Sequence, residues 1–322
     1  MKKRFGIMTT GGDCPGLNAV IYSIYRNLKP HKDIELFGIY QNAIHATQPY
    51  TIEKITYLDP LLPSRSGTIL GSMVASDLHK FEAGRSRPLA LLEDYNLDGV
   101  FLIGGDGSIE IAKKFFPEYP FIIIPKTIDN DVAFTDCSIG FCSAVGTVTS
   151  LLDNLKNTGY SHRRIMVAEV MGRDTGFIAL ESGVAAFADA ILIPEQSHNE
   201  QALKEFLLKR YDENQSGALV VVAEGVTGMK EFMETQIPIP SRYTILGHLQ
   251  RGGAVCETDR LMASYMGAHA VKLARDNMWR KMVIWRDYQA SDIDIPKESV
   301  KRYVSQAEID RCEELDIFIS SS

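Results

Sequence analysis

The stretch Ile122-Ile123-Ile124-Pro125-Lys126-Thr127-Ile128-Asp129-Asn130-Asp131 joins an apolar run to a polar loop. Its three isoleucines read as a buried strand, and Pro125 is expected to end it. The loop then places a cation, a hydroxyl and two carboxylates just past the strand's C-terminal end, the edge at which open α/β sheets bind ligands. Asp129 and Asp131 are two residues apart, so an extended backbone would point both to one side and turn Asn130 away. A bare Asp-Asn-Asp is equally the composition of an Asx turn, and the surrounding chain has to discriminate.

On the N-terminal side, residues 4–10 read as a strand running into Gly11-Gly12-Asp13-Cys14-Pro15-Gly16 and a helix over about 17–28. Strand, glycine turn and helix N-terminus together present backbone N–H groups to a phosphate, although most such turns only connect the two elements. Val20, Ile21, Ile24 and Leu28 have the spacing of a face packed on a sheet. Residues 34–40 form a second expected strand. The glycine- and hydroxyl-rich loop 66–72 suits either a phosphate or a plain turn. After a helical stretch ending near Asn96, residues 99–103 form a strand that opens into Gly104-Gly105-Asp106-Gly107-Ser108. There the glycines let backbone approach a bulky anion, Asp106 can hold a divalent cation, and Ser108 can cap the next helix.

On the C-terminal side, strands are expected at 165–170, 190–193, 218–223, 244–249 and 282–285, with helical patterns between most of them. Val145, Val148, Leu151, Leu152 and Leu155 form one apolar stripe, read as core. Asp212-Glu213-Asn214-Gln215-Ser216-Gly217 reads as a surface loop, and 319–322 as a frayed tail. Alternation of strand and helix over the whole length predicts an α/β fold with mainly parallel sheets. Cationic residues gather in short contexts: Ser161-His162-Arg163-Arg164, Met171-Gly172-Arg173, Arg242 with His248, and Gln250-Arg251-Gly252-Gly253. Each arginine alone is as well explained by solvation, but a dianionic substrate wants several of them, because the guanidinium fork suits phosphate. Glu224, after the 218–223 strand, can accept from sugar hydroxyls.

The chain has 322 residues, 45% of them apolar, enough for two lobes and a large core. A net charge of −7 argues against nucleic-acid or acidic-membrane partners. There is no apolar run of transmembrane length and no signal-peptide pattern after Met1-Lys2-Lys3-Arg4. Five cysteines without a CxxC pair point to a reducing cytoplasm, with neither structural disulfides nor a zinc site.

Six pieces in order make the chain resemble the 6-phosphofructokinase family: TGGDCPGLNA (10–19), GGDGS (104–108), PKTIDND (125–131), SHRR (161–164), EVMGR (169–173) and LGHLQRGG (246–253). The resemblance runs from Gly6 to about Gln289. It implies two similar α/β lobes, each a mainly parallel sheet flanked by helices, with nucleotide on one side of a cleft and sugar phosphate on the other. It also implies that the chain crosses back to finish the first lobe. Residues 1–140 plus 253–303 are thus expected to form the nucleotide and Mg²⁺ lobe, and 141–252 plus 304–322 the sugar-phosphate lobe.

The reaction implied is transfer of the terminal phosphoryl group of ATP to the 1-hydroxyl of fructose 6-phosphate, a glycolytic step. By the same resemblance Asp129 accepts the hydroxyl's proton, while Thr127 and Asp131 hold the sugar and the metal environment. Asp106 matches the Mg²⁺-associated carboxylate, and Gly11, Gly105, Asp106, Gly107 and Ser108 cradle the donor. Arg173 lies near the transferring group, with Met171 and Gly172 lining the substrate. Glu224, His248 and Arg251 bind the sugar phosphate, and Arg164 and Arg242 match arginines that reach in from a neighbouring subunit of a homotetramer or homodimer.

Two positions bear on the donor. Gly107 leaves room for the inner phosphate of a nucleotide, whereas Lys126 is the residue that pyrophosphate-dependent members carry, so pyrophosphate is the alternative donor. The chain also departs from the family pattern at Val74, which stands about where an arginine usually bridges donor and acceptor phosphates. Losing such a contact typically costs ~10²–10³ in rate, and Lys126 is expected to supply part of the missing charge. The rival of another class is a catalytically weak homologue that binds sugar phosphate in a regulatory role. Lipid and NAD kinases share a GGDG loop but not the later motifs.

Overall fold

The computed structural model describes residues 2–41, 50–72, 92–115, 119–214, 217–297 and 300–319, and it divides the chain into two units. The first comprises Met1–Thr127, Val132–Ser143 and Ala254–Lys301, and the second Ile128–Asp131, Ala144–Gly253 and Arg302–Ser322.

Strands of the first unit are β1 (Lys3–Thr9), β2 (Ile34–Gln41), β3 (Tyr50–Lys54), β4 (Gly99–Gly104), β5 (Phe121–Thr127) and β6 (Ile139–Gly140). Those of the second are β7 (Ile165–Val170), β8 (Ala190–Leu192), β9 (Ala218–Ala223) and β10 (Ser241–Ile245), and the first unit ends with β11 (Lys281–Arg286) and β12 (Gln289–Asp294). In the first unit the order is β12-β11-β5-β4-β1-β2-β3, with β6 pairing β5. β4 and β5 lie mid-sheet and are buried along almost their whole length, as strands of a covered parallel sheet are. Helix α1 (Leu17–Leu28) buries Leu17, Val20, Ile21, Ile24 and Leu28, the face expected from its spacing. α2 is Asp106–Phe115 and α3 Phe141–His162. In the second unit the sheet order is β10-β7-β9-β8, all parallel. It carries α3 from Ala144 on, α4 (Phe177–Ala185), α5 (Glu200–Asn214), α6 (Met229–Thr235) and α8 (Gln306–Glu313); α7 (Glu257–Arg275) belongs to the first unit. No helix among the described residues is long and apolar enough to cross a membrane.

Several expectations are corrected. Pro125 does not end its strand: β5 runs on to Thr127. On one side its partner changes from β11, paired at Ile122 and Ile123, to β6, paired at Lys126 and Thr127. Pro125 falls in that gap, where a missing N–H interrupts no ladder. The strand expected at 244–249 is instead β10, Ser241–Ile245; Gly247 (φ +51°) turns the chain into a 3-10 turn, Gly247–Arg251. Residues 212–214 continue α5 rather than forming a loop. Of the apolar stripe on α3, Val148 and Leu152 are fully buried, while Val145, Leu151 and Leu155 are half-buried. Two edge pairs, β2–β3 and β11–β12, are antiparallel. The second is a hairpin whose turn residues Asp287 and Tyr288 both have positive φ, the geometry usually taken by Asn-Gly. The helix ending near Asn96 falls mostly outside the described residues, as do Gln215, Ser216 and the tail beyond Ile319, which is itself buried.

Candidate active site

In the first unit β1, β4 and β5 end together and present three loops. The glycine turn after β1 is held by its carbonyls. Lys126, 2% exposed, donates from Nζ to Thr10 O at 3.0 Å and also to Gly12 O, and Ser72 Oγ donates to Gly11 O. Thr68 Oγ1 lies 3.0 Å from Thr9 Oγ1, so the 66–72 loop packs on the turn. With the carbonyls taken, the N–H groups of Gly11 and Gly12 make no bond among the described residues, which leaves them available to an anion.

Gly104, at the end of β4, has no space for a side chain: a Cβ would stand 2.3 Å from Ser108 Oγ and 2.6 Å from Thr10 Oγ1. Thr10 Oγ1 is buried and makes no hydrogen bond, a feature that sequence reasoning missed. α2 starts at Asp106, so Ser108 lies in its first turn rather than at its cap, and Gly105 O accepts from Ser108 N and Ile109 N. Asp106 is half-buried at that helix N-terminus. A Cβ on Gly107 would meet nothing within 4 Å, so the space over it is open. Thr127 O accepts from Ser138 Oγ at 2.8 Å.

In the second unit, Ile128–Asp131 is not extended. Asn130 has φ +54°, and Asp129, Asn130 and Asp131 are all buried. Thr175 Oγ1 donates to Asp129 O at 3.2 Å and Arg302 N to Asp131 O at 2.9 Å. The segment after β7 turns sharply, with Gly172 at φ +148° and Arg173 at φ +55°. Only glycine fits at 172, because a Cβ would lie 2.4 Å from Thr175 O. Three consecutive N–H groups there are taken by side chains. Met171 N donates to Gln250 Oε1 at 3.1 Å, and Gly172 N and Arg173 N donate to Glu224 Oε1 at 3.1 and 2.7 Å. The turn delivers Arg173 Nε to within 3.4 Å of Asp129 Oδ2, while most of the Arg173 side chain stays exposed.

Glu224 also borders a recess of about 490 Å³ lined by Glu169, Thr227, Lys230 and Tyr243. Burial and the Glu169 carboxylate, 2.6 Å from its hydroxyl, raise the Tyr243 phenol above its ordinary pKa. His248, exposed, and Arg251, half-buried, sit on the 3-10 turn after β10. Arg164 and Arg242 are elsewhere in this unit. Arg164 precedes β7, whose first residue pairs with Ser241, so both arginines stand at the N-terminal end of the sheet. The length of β7 puts that end roughly 20 Å from Met171. Val74 lies outside the described residues.

A family model described as Phosphofructokinase matches residues 4–274. The chain belongs to the phosphofructokinase family. The ATP-dependent 6-phosphofructokinase of Oceanobacillus iheyensis is 39% identical over 287 residues, 87% of this chain and 89% of that protein. Its counterpart from Brevibacillus brevis is 35% identical over 305 residues, 94% and 95% of the two chains. Among solved structures, Pichia pastoris phosphofructokinase in the T-state matches with a TM-score of 0.81 at 28% identity. That match covers 92% of this chain but 35% of the Pichia chain, so this chain spans about a third of the Pichia one.

Within this family member the buried Lys126 ammonium is the support of the glycine turn. Lys126→Met, similar in length but without donors, is expected to lower folding stability by about 2 kcal/mol. The loss would be read as a lower denaturant midpoint at unchanged slope. An unmoved midpoint would mean that the Thr10 and Gly12 carbonyls find other donors.

Proposed function

We propose that the chain transfers the terminal phosphoryl group of ATP to the 1-hydroxyl of fructose 6-phosphate, yielding ADP and fructose 1,6-bisphosphate in glycolysis. The observation that carries this reading is the buried Asp129 carboxylate with Arg173 at 3.4 Å, on a turn fixed by Glu224 and Gln250. The relatives at 35–39% identity, named as ATP-dependent 6-phosphofructokinases, supply the substrates.

Phosphoryl transfer asks the protein for alignment and charge neutralisation more than for covalent work. Asp129 orients the attacking hydroxyl and accepts its proton as the new P–O bond forms. A carboxylate is a weak base for an alcohol, but in a loose transition state the proton leaves late and orientation dominates. Arg173 holds Asp129 with one edge of its guanidinium and offers the remaining donors to the transferring group. Met171 and Gly172 line the sugar. Glu224, with Oε1 committed to backbone, has Oε2 for a sugar hydroxyl, and His248 and Arg251 take the 6-phosphate. Thr127 and Asp131 complete the loop.

On the donor side, Gly11, Gly105, Asp106, Gly107 and Ser108 receive the polyphosphate. Asp106 is a hard oxygen ligand at a helix N-terminus. That fits Mg²⁺, which uses one or two carboxylates and completes its shell with phosphates and water. Asp106 would hold the ion, which would supply charge neutralisation for the donor phosphates. The donor lobe is thus the first unit and the sugar-phosphate lobe the second.

ATP is favoured over pyrophosphate because the space over Gly107 is open, and because the charge of Lys126 is engaged by the Thr10 and Gly12 carbonyls. Fructose 1,6-bisphosphate should form with ATP and Mg²⁺ and not with pyrophosphate, in parallel assays under the same conditions. Turnover with pyrophosphate alone would reverse the donor assignment. Binding of fructose 6-phosphate without turnover would indicate the regulatory homologue.

Arg164 and Arg242 lie too far along β7 to serve the Asp129 loop of their own chain, so a second copy brings them. The enzyme is therefore a homo-oligomer, and the cytoplasm is its compartment. Arg173→Ala and Arg242→Ala proteins, each nearly inactive alone, should regain activity when unfolded and reassembled together. No regain in the mixture would mean that each chain uses its own arginines.

A further inference from the structure

We propose that Gln250 is a positioning residue for the sugar phosphate, its buried amide fixing Met171 and the turn that carries His248 and Arg251 to one another. This rests on the reading of the second unit as the sugar-phosphate lobe. Gln250 is fully buried, while His248 in the same turn is exposed. Its Oε1 accepts from Met171 N at 3.1 Å and its Nε2 donates to Gly247 O at 3.0 Å. The primary amide offers an acceptor and a donor on one planar group at this reach, whatever the pH.

The position explains the need. Backbone pairing of β10 with β7 continues past the strands to one last bond, Leu246 N to Glu169 O at 3.0 Å. Beyond it both chains turn away, one at Gly247 (φ +51°) and the other at Gly172 (φ +148°). The Gln250 side chain takes over where that ladder stops and ties the two departing segments. One bears Met171, Gly172 and Arg173, the other His248 and Arg251. Glu224 secures the next two N–H groups of the first segment. The Gln250 amide thus helps to fix the sugar-lining residues and the phosphate-binding cations relative to one another.

The test uses the intact protein and measures KM for each substrate together with calorimetric titration of fructose 6-phosphate alone. Gln250→Leu removes both bonds and is expected to weaken fructose 6-phosphate about tenfold in KM and in the titration, with KM for ATP changed less than about twofold. Gln250→Glu keeps the acceptor for Met171 N but turns an oxygen toward Gly247 O. It is expected to weaken the sugar phosphate similarly and to recover toward the native value on acidification, when the protonated carboxyl can donate as the amide does. Native affinity in both variants overturns the inference. A rise in both KM values together with lost stability overturns it as well, since that is what general loosening would give. A native protein that fails to bind fructose 6-phosphate overturns the reading of the lobe itself, and this inference with it.

Discussion

Three adjacent backbone N–H groups, at Met171, Gly172 and Arg173, have no partner in any strand or helix and are satisfied by side chains from two other elements. Buried N–H groups left unmade would cost more than most single contacts return. Glu224 and Gln250 supply the acceptors that let the chain take this turn. Arg173 then leaves its strand toward Asp129 rather than along the sheet. The approach of Arg173 to Asp129 depends on that turn, because neither residue is placed by regular secondary structure.

The donor loops of the first unit solve the converse problem. There the carbonyls of Thr10, Gly11 and Gly12 are taken from beneath by Lys126 and Ser72, and the N–H groups of the glycines remain for an anion. One turn is thus pinned by its donors and the other by its acceptors. On the proposed reading the glycines receive a polyanionic donor, and Arg173, His248 and Arg251 lie where the sugar phosphate binds. Lys126 gains a second meaning in this light. Its ammonium is engaged by the carbonyls of the turn that it supports.

Much of this was legible in the residues because it follows local rules. The core strands show as β-branched runs, and α1 as an apolar face of helical spacing. The glycine turns show as glycines flanked by hydroxyls and carboxylates. What could not be read depends on distant partners. Pro125 is tolerated only because β6 replaces β11 along β5, and two-residue β6 carries no pattern of its own. The run Thr244-Ile245-Leu246 looks like the start of a strand that Gly247 in fact ends. Extended spacing suggested that Asp129 and Asp131 share a face, but Asn130 sits in the left-handed region. Gln250 was visible only as a polar residue between two cations. That its amide is buried and bridges two segments follows from their meeting 79 residues apart in sequence.

The claim at the centre is that Asp129, placed by the Met171–Thr175 turn, handles the proton of the sugar hydroxyl. Replacing Asp129 with Asn keeps the shape and removes the base, so the most direct measurement is kcat for fructose 1,6-bisphosphate formation with saturating ATP and fructose 6-phosphate. The account predicts a fall of about 10²–10⁴ with little change in the affinity for fructose 6-phosphate. Turnover within about twofold of the native protein would contradict it and move the proton to another group.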